Sequence, residues 1–483
     1  MNDPADMPPA AAAMPGAQPQ AHATPPVVPD AAAWPGAGPA ERAAQTPRPN
    51  VRPGPTSGPN HSSAPLALPP RPGSLAETKL DPILLEELAL KIVAHVGSMT
   101  GGALAERMML PLAGVVEHLI ATLRRDSFVE SVSGGAALVG AAGMILRVTD
   151  RGTQRAHVFN QRSEYAGPAP VPLVDLEYAL RQQAPARRFV GRDNLRRRLG
   201  YLVLPDETMD AVGAGVESGG PLLLYGPPGN GKTAVGAAIA RALGGGGVLV
   251  PYAVEVDGQI VRVFDPSVHR PIAADQLPTA RFDDRWVLCH APFVRAGGEL
   301  RLDQLDFIWN ERQRFYDAPI QLKAAGGVLL MDDFGQQQHR PEFILNRWVV
   351  PLETGMDYLT LINGSQVPLP FTPLLIFATN LEPAELMHEA YLRRIPCKVY
   401  IGDPSEQAFH EICRRQCQEL GIEFSEQGLA YLIERCYTRT GQSWRASHPR
   451  DLLRLVASSA RYFGVAPQLT PRLIDVAANL YFV

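Results

Sequence analysis

The run Gly226-Pro227-Pro228-Gly229-Asn230-Gly231-Lys232-Thr233 constrains this chain more than any other feature. It is a complete G-x-x-x-x-G-K-[ST] phosphate-binding loop. The residues before it, Pro221 to Tyr225 (PLLLY), read as a short buried strand, and Thr233 to Leu243 (TAVGAAIARAL) read as a helix. The loop needs that setting. Its glycines let the backbone curl so that successive N–H groups point at phosphate oxygens, and the helix N-terminus adds its positive end. Lys232 is placed to reach the β/γ-phosphates and Thr233 to ligate Mg2+. The spacing predicts a strand–loop–helix unit that binds a nucleoside triphosphate.

Two further apolar runs extend that site. Gly327 to Met331 (GVLLM) reads as a strand ending in Asp332 and Asp333. A carboxylate at such a tip can hold the metal that bridges the phosphates, and a second can orient water. Asp332 is assigned to the metal and Asp333 to the water. Leu374 to Thr379 (LLIFAT) ends in Asn380, whose amide can bond the water or the γ-phosphate. Strands sharing one carboxyl-end crevice predict an α/β fold with a parallel sheet and the ligand at the strand tips.

The rest of the chain divides by composition. Its 483 residues allow two or three domains, and a net charge of −4 implies no general attraction to nucleic acid or anionic membrane. Five cysteines without a C-x-x-C pair fit a reduced, cytoplasmic protein. Cys413 and Cys417 are one helical turn apart, a spacing read as core packing. The first residues, MNDPADMPPA, lack the basic and apolar regions expected of a signal peptide, and no apolar run approaches membrane-spanning length. Residues 1–76 are Pro/Ala/Gly-rich and are expected to be disordered, because they bury too little apolar surface to offset ordering entropy. Residues 77–165 read as three helices, the third running from Pro111 to Arg125, followed by strand-like Phe128–Val132 and Met144–Val148. That is the order of a winged-helix domain. The exposed early positions of its third helix are Ala113, Gly114, Glu117 and His118, where a base-reading helix offers Arg, Lys, Asn or Gln. Protein docking is therefore favoured over DNA. A linker (166–186) leads to the nucleotide domain (187–402), and residues 403–483 read as about four helices capped at Ser405, Ser425 and Thr470.

Together, the phosphate loop, the acids and the Asn380 strand resemble an AAA+ ATPase over most of residues 187–483. The resemblance implies several further roles. Phe189-Val190-Gly191-Arg192 is similar to the segment against adenine, placing Val190 and Gly191 there. Leu392-Arg393-Arg394-Ile395 stands where the family carries the arginine finger that reaches a neighbouring subunit, with Arg394 favoured and Arg393 the alternative. His448-Pro449-Arg450-Asp451-Leu452 is similar to the lid sensor, making Arg450 a γ-phosphate contact. Such a finger is worth roughly 10³–10⁵ in rate, so hydrolysis is expected to depend on assembly into a ring, a hexamer. The second acid is usually Glu in this family, and Asp333 departs from that.

The stretch from Thr233 to Asp332 is also longer than the family needs, and residues 247–320 read as a β-rich insertion. Asn363-Gly364 between Asp357–Leu361 and Val367–Leu369 predicts a hairpin. A hairpin just before the Asn380 strand is similar to the MoxR-type and enhancer-binding branch, where it faces a central pore. The sequence thus reads as an ATPase that remodels a protein client through a ring. Its alternatives are a DNA-directed AAA+ protein and an ATP-binding switch that barely hydrolyses.

Overall fold

The computed structural model describes residues 66–132, 140–184, 190–243 and 247–482. Most of the Pro/Ala-rich segment, the Gly/Ala stretch at 133–139 and Phe189 lie outside them.

Five parallel strands form the central sheet, in the order Phe293–Ala296, Val328–Met331, Leu374–Thr379, Leu222–Tyr225, Cys397–Tyr400. The three inner strands are almost wholly buried, which is why they read as continuous apolar runs rather than alternating ones. Alternation persists in which face each residue serves. Leu222, Leu224, Val328, Leu330, Ile376 and Ala378 pack with Val235 and Ile239 of the phosphate-loop helix. Leu223, Leu329, Met331, Leu375 and Phe377 pack with Ile344, Leu345 and Trp348 of helix Pro341–Thr354. Helices on both faces align the inner strands so that Gly226, Asp332 and Asn380 emerge at one edge.

Phe293–Ala296 belongs to this sheet although it falls inside the stretch expected to be an insertion. As the outermost strand, with Arg295 exposed in its middle, it lacks the apolar run that marked the others. The insertion also contributes an antiparallel pair, Val248–Pro251 with Trp286–Cys289, and most of a second sheet, Ile308–Asn310, Phe315–Asp317, Gln259–Arg262, Ala253–Val256, Val171–Pro172. The last strand of that sheet comes from the stretch expected to be a linker. The Asn-Gly hairpin is present as Met356–Thr360 paired with Gln366–Pro370. Leu359, Leu361, Val367 and Leu369 of the hairpin are buried with Val254, Val261 and Tyr316 of the second sheet. Ile362, by contrast, stands 71% exposed at the tip.

Residues 77–165 contain helices Pro82–Val96, Gly101–Met108 and Glu117–Arg125 and an antiparallel sheet of Ser98–Thr100, Ile145–Val148 and Val129–Val132. The third helix begins later than expected. Ala113 is extended and Gly114 has φ of 78°, where an added Cβ would stand 2.2 Å from the Gly73 carbonyl. Thr149 caps a further helix, Asp150–Asn160. The core of this region runs on into the second sheet: Ala253, Ile260 and Phe315 pack with Leu85, Leu88 and Leu146.

Polar contacts seal that junction. The buried pair Arg285–Asp283 (2.7 Å) also donates from Arg285 to the Pro170 carbonyl, and Arg314 donates to the Asn160 and Gln161 carbonyls. Residues 66–76, at the end of the segment expected to be disordered, run along the same body. Leu66 and Leu68 pack on the second-sheet core, Asp283 N–H donates to the Pro69 carbonyl, and Arg71 pairs with Asp284. Those leucines provide the apolar burial that seats residues 66–76 on the body.

The C-terminal region is a helical bundle of Glu406–Leu420, Glu426–Ile433, His448–Phe463 and Pro471–Tyr481. Ser405 and Ser425 cap their helices through side-chain bonds, whereas Thr470 stands at its N-cap without one. Cys413, Cys417 and Cys436 are buried in its core as free thiols, and burial pushes the Cys417 and Cys436 thiols up to about 11.

Candidate nucleotide site

The phosphate loop turns where its glycines require it to. Gly226 has φ of 129°, and a Cβ there would lie 2.6 Å from the Ile401 carbonyl. Gly229 has φ of 82°, and a Cβ there would lie 2.5 Å from the Ser447 hydroxyl. Side chains are excluded at both positions by strain and by contact. Lys232 opens the following helix and is buried. Its ammonium donates to the Gly226 carbonyl (2.7 Å), the Pro227 carbonyl (2.9 Å) and Asn380 Oδ1 (2.8 Å). Burial lowers its pKa, Asp333 and Asp332 oppose that shift, and Arg445 adds to it. The structure thus brings Lys232 and Asn380, 148 positions apart, into direct contact.

Asp332 ends its strand almost fully buried. Its Oδ2 accepts from the Thr233 hydroxyl at 2.9 Å and pairs with Arg295 Nε at 2.8 Å, while its Oδ1 accepts from the Asp333 N–H. Thr233 and Asp332 present adjacent hard oxygen donors, and Arg295 already places positive charge against them. That donor set fits Mg2+, which takes one or two carboxylate or hydroxyl oxygens and leaves the rest to phosphate and water. Asp333 is exposed and left-handed, with φ of 48°. Gln337 holds this turn by donating to the Asp332 and Asp333 carbonyls, and Phe334 N–H bonds the Ala378 carbonyl.

The lid meets the loop through Asn230, which is 4% exposed. Its Nδ2 donates to Asp403 Oδ1 (2.7 Å), and its Oδ1 accepts from the Ala446 N–H (3.1 Å). Arg445 pairs with the same Asp403 oxygen. Arg450, expected as the lid contact, lies on the next helix and pairs with its neighbour Asp451 (2.9 Å). Arg394 pairs with Glu353 of helix Pro341–Thr354 (3.3 Å), and Arg393 is exposed. The N–H groups of Val190 and Gly191 both donate to Glu217 Oε1, at 2.9 and 3.2 Å. Beside them a cavity of about 330 Å³ opens between helices Arg192–Leu199 and Asp206–Glu217, lined by Leu195, Met209 and Gly213 among others. It is at the small end of ligand-sized pockets.

Three participants escaped the sequence reading: Arg295, Asp403 and Arg445. Arg295 sits in a strand read as insertion, and the other two lie in loops with no periodic pattern. Only the pairing of distant strands and the seating of the lid bring them to the loop.

A phosphate loop after an inner strand of a five-stranded parallel sheet, acid and amide tips on the two strands beside it, and a helical bundle after the last strand define the class. This is an α/β P-loop NTPase fold of the AAA+ type. A family model described as a domain of unknown function (DUF8689) matches residues 405–480, the helical bundle. No curated protein matches the chain. Among solved structures it is similar to NtrX from Brucella abortus in complex with ATP, at 14% identity over 60% of this chain and 60% of that one, TM-score 0.37. It is likewise similar to NtrX in complex with ADP, at 14% identity over 58% and 57%, TM-score 0.36. The chain spans less than two thirds of the length of these structures. The fold assignment stands on the chain's own strand order and loop. Among the described residues no helix is long and apolar enough to cross a membrane.

Proposed function

We propose that this chain is an AAA+ ATPase that binds and hydrolyses Mg·ATP at Gly226–Thr233 and, as a ring, remodels a protein partner. One observation carries the reading: Lys232 meets Asn380 and Thr233 meets Asp332 at one edge of the sheet. The Lys232 donors that now hold the Gly226 and Pro227 carbonyls turn to β/γ-phosphate oxygens, which are stronger acceptors. Thr233 and Asp332 hold Mg2+, which supplies Lewis-acid polarisation of the phosphoryl group. Asp333 and Asn380 position water. The adenine lies beside Val190 and Gly191, Arg394 or Arg393 reaches the site of a neighbouring subunit, and Arg450 reads the γ-phosphate.

Residues 77–165 act as a winged-helix-like docking module. The first exposed residues of its helix Glu117–Arg125 are Glu117 and His118, which favours a protein over DNA. Because its core is continuous with the second sheet, the module is expected to move with the nucleotide domain rather than on a tether. The hairpin, braced on that same sheet with Ile362 exposed at its tip, is the element offered to a client in the pore.

Steady-state turnover measured against protein concentration tests this. Specific activity should rise with concentration and vanish in Lys232→Ala. Turnover independent of concentration argues against the ring, and turnover retained in Lys232→Ala refutes the site. DNA binding by the full chain with a steep salt dependence would move the reading to a DNA-directed protein.

A further inference from the structure

Where the core of residues 77–165 meets that of the second sheet, a cavity of about 530 Å³ remains open. Its volume is within the range of a ligand-sized pocket. Helix Gly101–Met108 and the turn after it form one side, and the segment 282–286 forms the other. Leu110 and Trp286 are buried at its base, while Leu112 and Phe282 are half-buried on its walls. The exposed carboxylates of Glu106 and Asp284 stand at its rim.

One of these carboxylates is already engaged, and what engages it shows the chemistry this surface accepts. Arg71 places Nη2 at 2.8 Å from Asp284 Oδ2. Around it residues 66–72 (LALPPRP) lie along the same body: the Pro69 carbonyl accepts from Asp283 N–H at 3.0 Å, and Pro72 is buried. The three prolines hold φ near about −65°, so the segment loses little freedom when it seats. Proline-rich segments dock on aromatic-lined grooves for that reason, and an arginine among them takes a carboxylate. Glu106 offers the same terms again on the opposite wall. Among the described residues its carboxylate has no hydrogen-bond or ion-pair partner. With Asp284 neutralised by Arg71, Glu106 is the uncompensated charge at the rim.

We propose that this cavity docks a proline-rich, arginine-bearing segment of a partner protein, with its prolines against Phe282, Leu112 and Trp286 and its arginine on Glu106. Residues 66–72 stay in place and supply Arg71 as part of the wall. The uncompensated carboxylate selects a basic segment over an acidic one. The proposal rests on the docking reading of residues 77–165 and gives it a surface; the nucleotide site takes no part in it.

Fluorescence anisotropy of a labelled synthetic peptide, Pro-Leu-Pro-Pro-Arg-Pro, titrated with the full chain tests this, beside a second peptide in which alanine replaces the arginine. The wild type should bind the arginine peptide saturably. Glu106→Gln should weaken that binding roughly two- to fivefold, the worth of an ion pair at an exposed rim. The alanine peptide should lose the same factor against wild type and nothing further against Glu106→Gln, because both changes remove one contact. Absence of saturable binding overturns the proposal, and so do two losses that multiply. Weakening in Asp284→Asn but not in Glu106→Gln shows the peptide replacing residues 66–72, which also overturns it. Binding that is unchanged in both variants places docking elsewhere on the chain: this site fails while the docking reading stands.

Discussion

Replacing Arg295 with alanine should make the site take up Mg2+ more readily. The guanidinium of Arg295 pairs at 2.8 Å with Asp332 Oδ2, the same oxygen that accepts from Thr233 and would ligate the metal. Metal and guanidinium therefore compete for one atom. The pair is asymmetric: the Arg295 side chain is 57% exposed and that of Asp332 only 7%. An exposed pair is worth about 0.2–1 kcal/mol, and a charge-assisted bond to a buried group about 1.5–3. Solvent at the arginine end places this one between, at about 1 kcal/mol, which corresponds to roughly a fivefold change in an equilibrium constant.

The measurement is ADP binding by calorimetry across a Mg2+ series, for wild type, Arg295→Ala and Arg295→Lys. In Arg295→Ala the Mg2+ concentration at half-maximal enhancement should fall about fivefold. Asp332 keeps Thr233 and the Asp333 N–H as partners, so its orientation survives. In Arg295→Lys the shift should be smaller, because a cation remains. If ADP affinity falls in Arg295→Ala while its Mg2+ dependence stays put, Arg295 serves the phosphates and the competition argument is wrong.

Asp333→Asn should keep nucleotide affinity within a fewfold and lower turnover roughly 10²-fold or more, as expected for loss of a positioned base, measured by single-turnover kinetics beside equilibrium binding. Lys91 tests a structural claim through pH. It is buried in helix Pro82–Val96 with its ammonium on the Ser163 carbonyl, and burial lowers its pKa to about 8 from 10.5, with Glu87 opposing. At about 1.4 kcal/mol per pH unit the cost is roughly 3 kcal/mol. Because the folded pKa lies below the unfolded one, that penalty is complete below about pH 8 and lifts as pH rises toward 10.5. Lys91→Met should therefore gain most over wild type near pH 7 in urea unfolding and lose that advantage by pH 10. An advantage that does not change with pH contradicts the assignment.

The elements most legible in the sequence are those whose chemistry is local. Eight consecutive residues build the phosphate loop, and the strands ending in Asp332 and Asn380 are buried on both faces, so each shows as an uninterrupted apolar run. The Asn-Gly hairpin and the serine-capped lid helices are local in the same sense. The strand Phe293–Ala296 was hidden because an edge position lets it carry an exposed arginine. The third helix of residues 77–165 is shorter than its sequence suggests, because nothing nearby in sequence reveals that Gly114 must pass the Gly73 carbonyl without a side chain.

What fills the crevice besides the loop depended on contacts between distant segments. Lys232 and Asn380 are each legible in their own motifs, but their meeting depends on the strand register that sets Tyr225 opposite Thr379. The same holds for Arg295 on Asp332, and for Arg445 on Asp403, where a lid loop folds back on the hinge. The second sheet has the longest reach. It draws one strand from the stretch read as a linker and shares its core with residues 77–165, so segments read as separate modules pack as one body. Phosphate chemistry is written in neighbouring residues because backbone N–H groups of one turn must converge. The partners of those residues are set by packing, because burying apolar faces decides which distant strands and helices lie side by side.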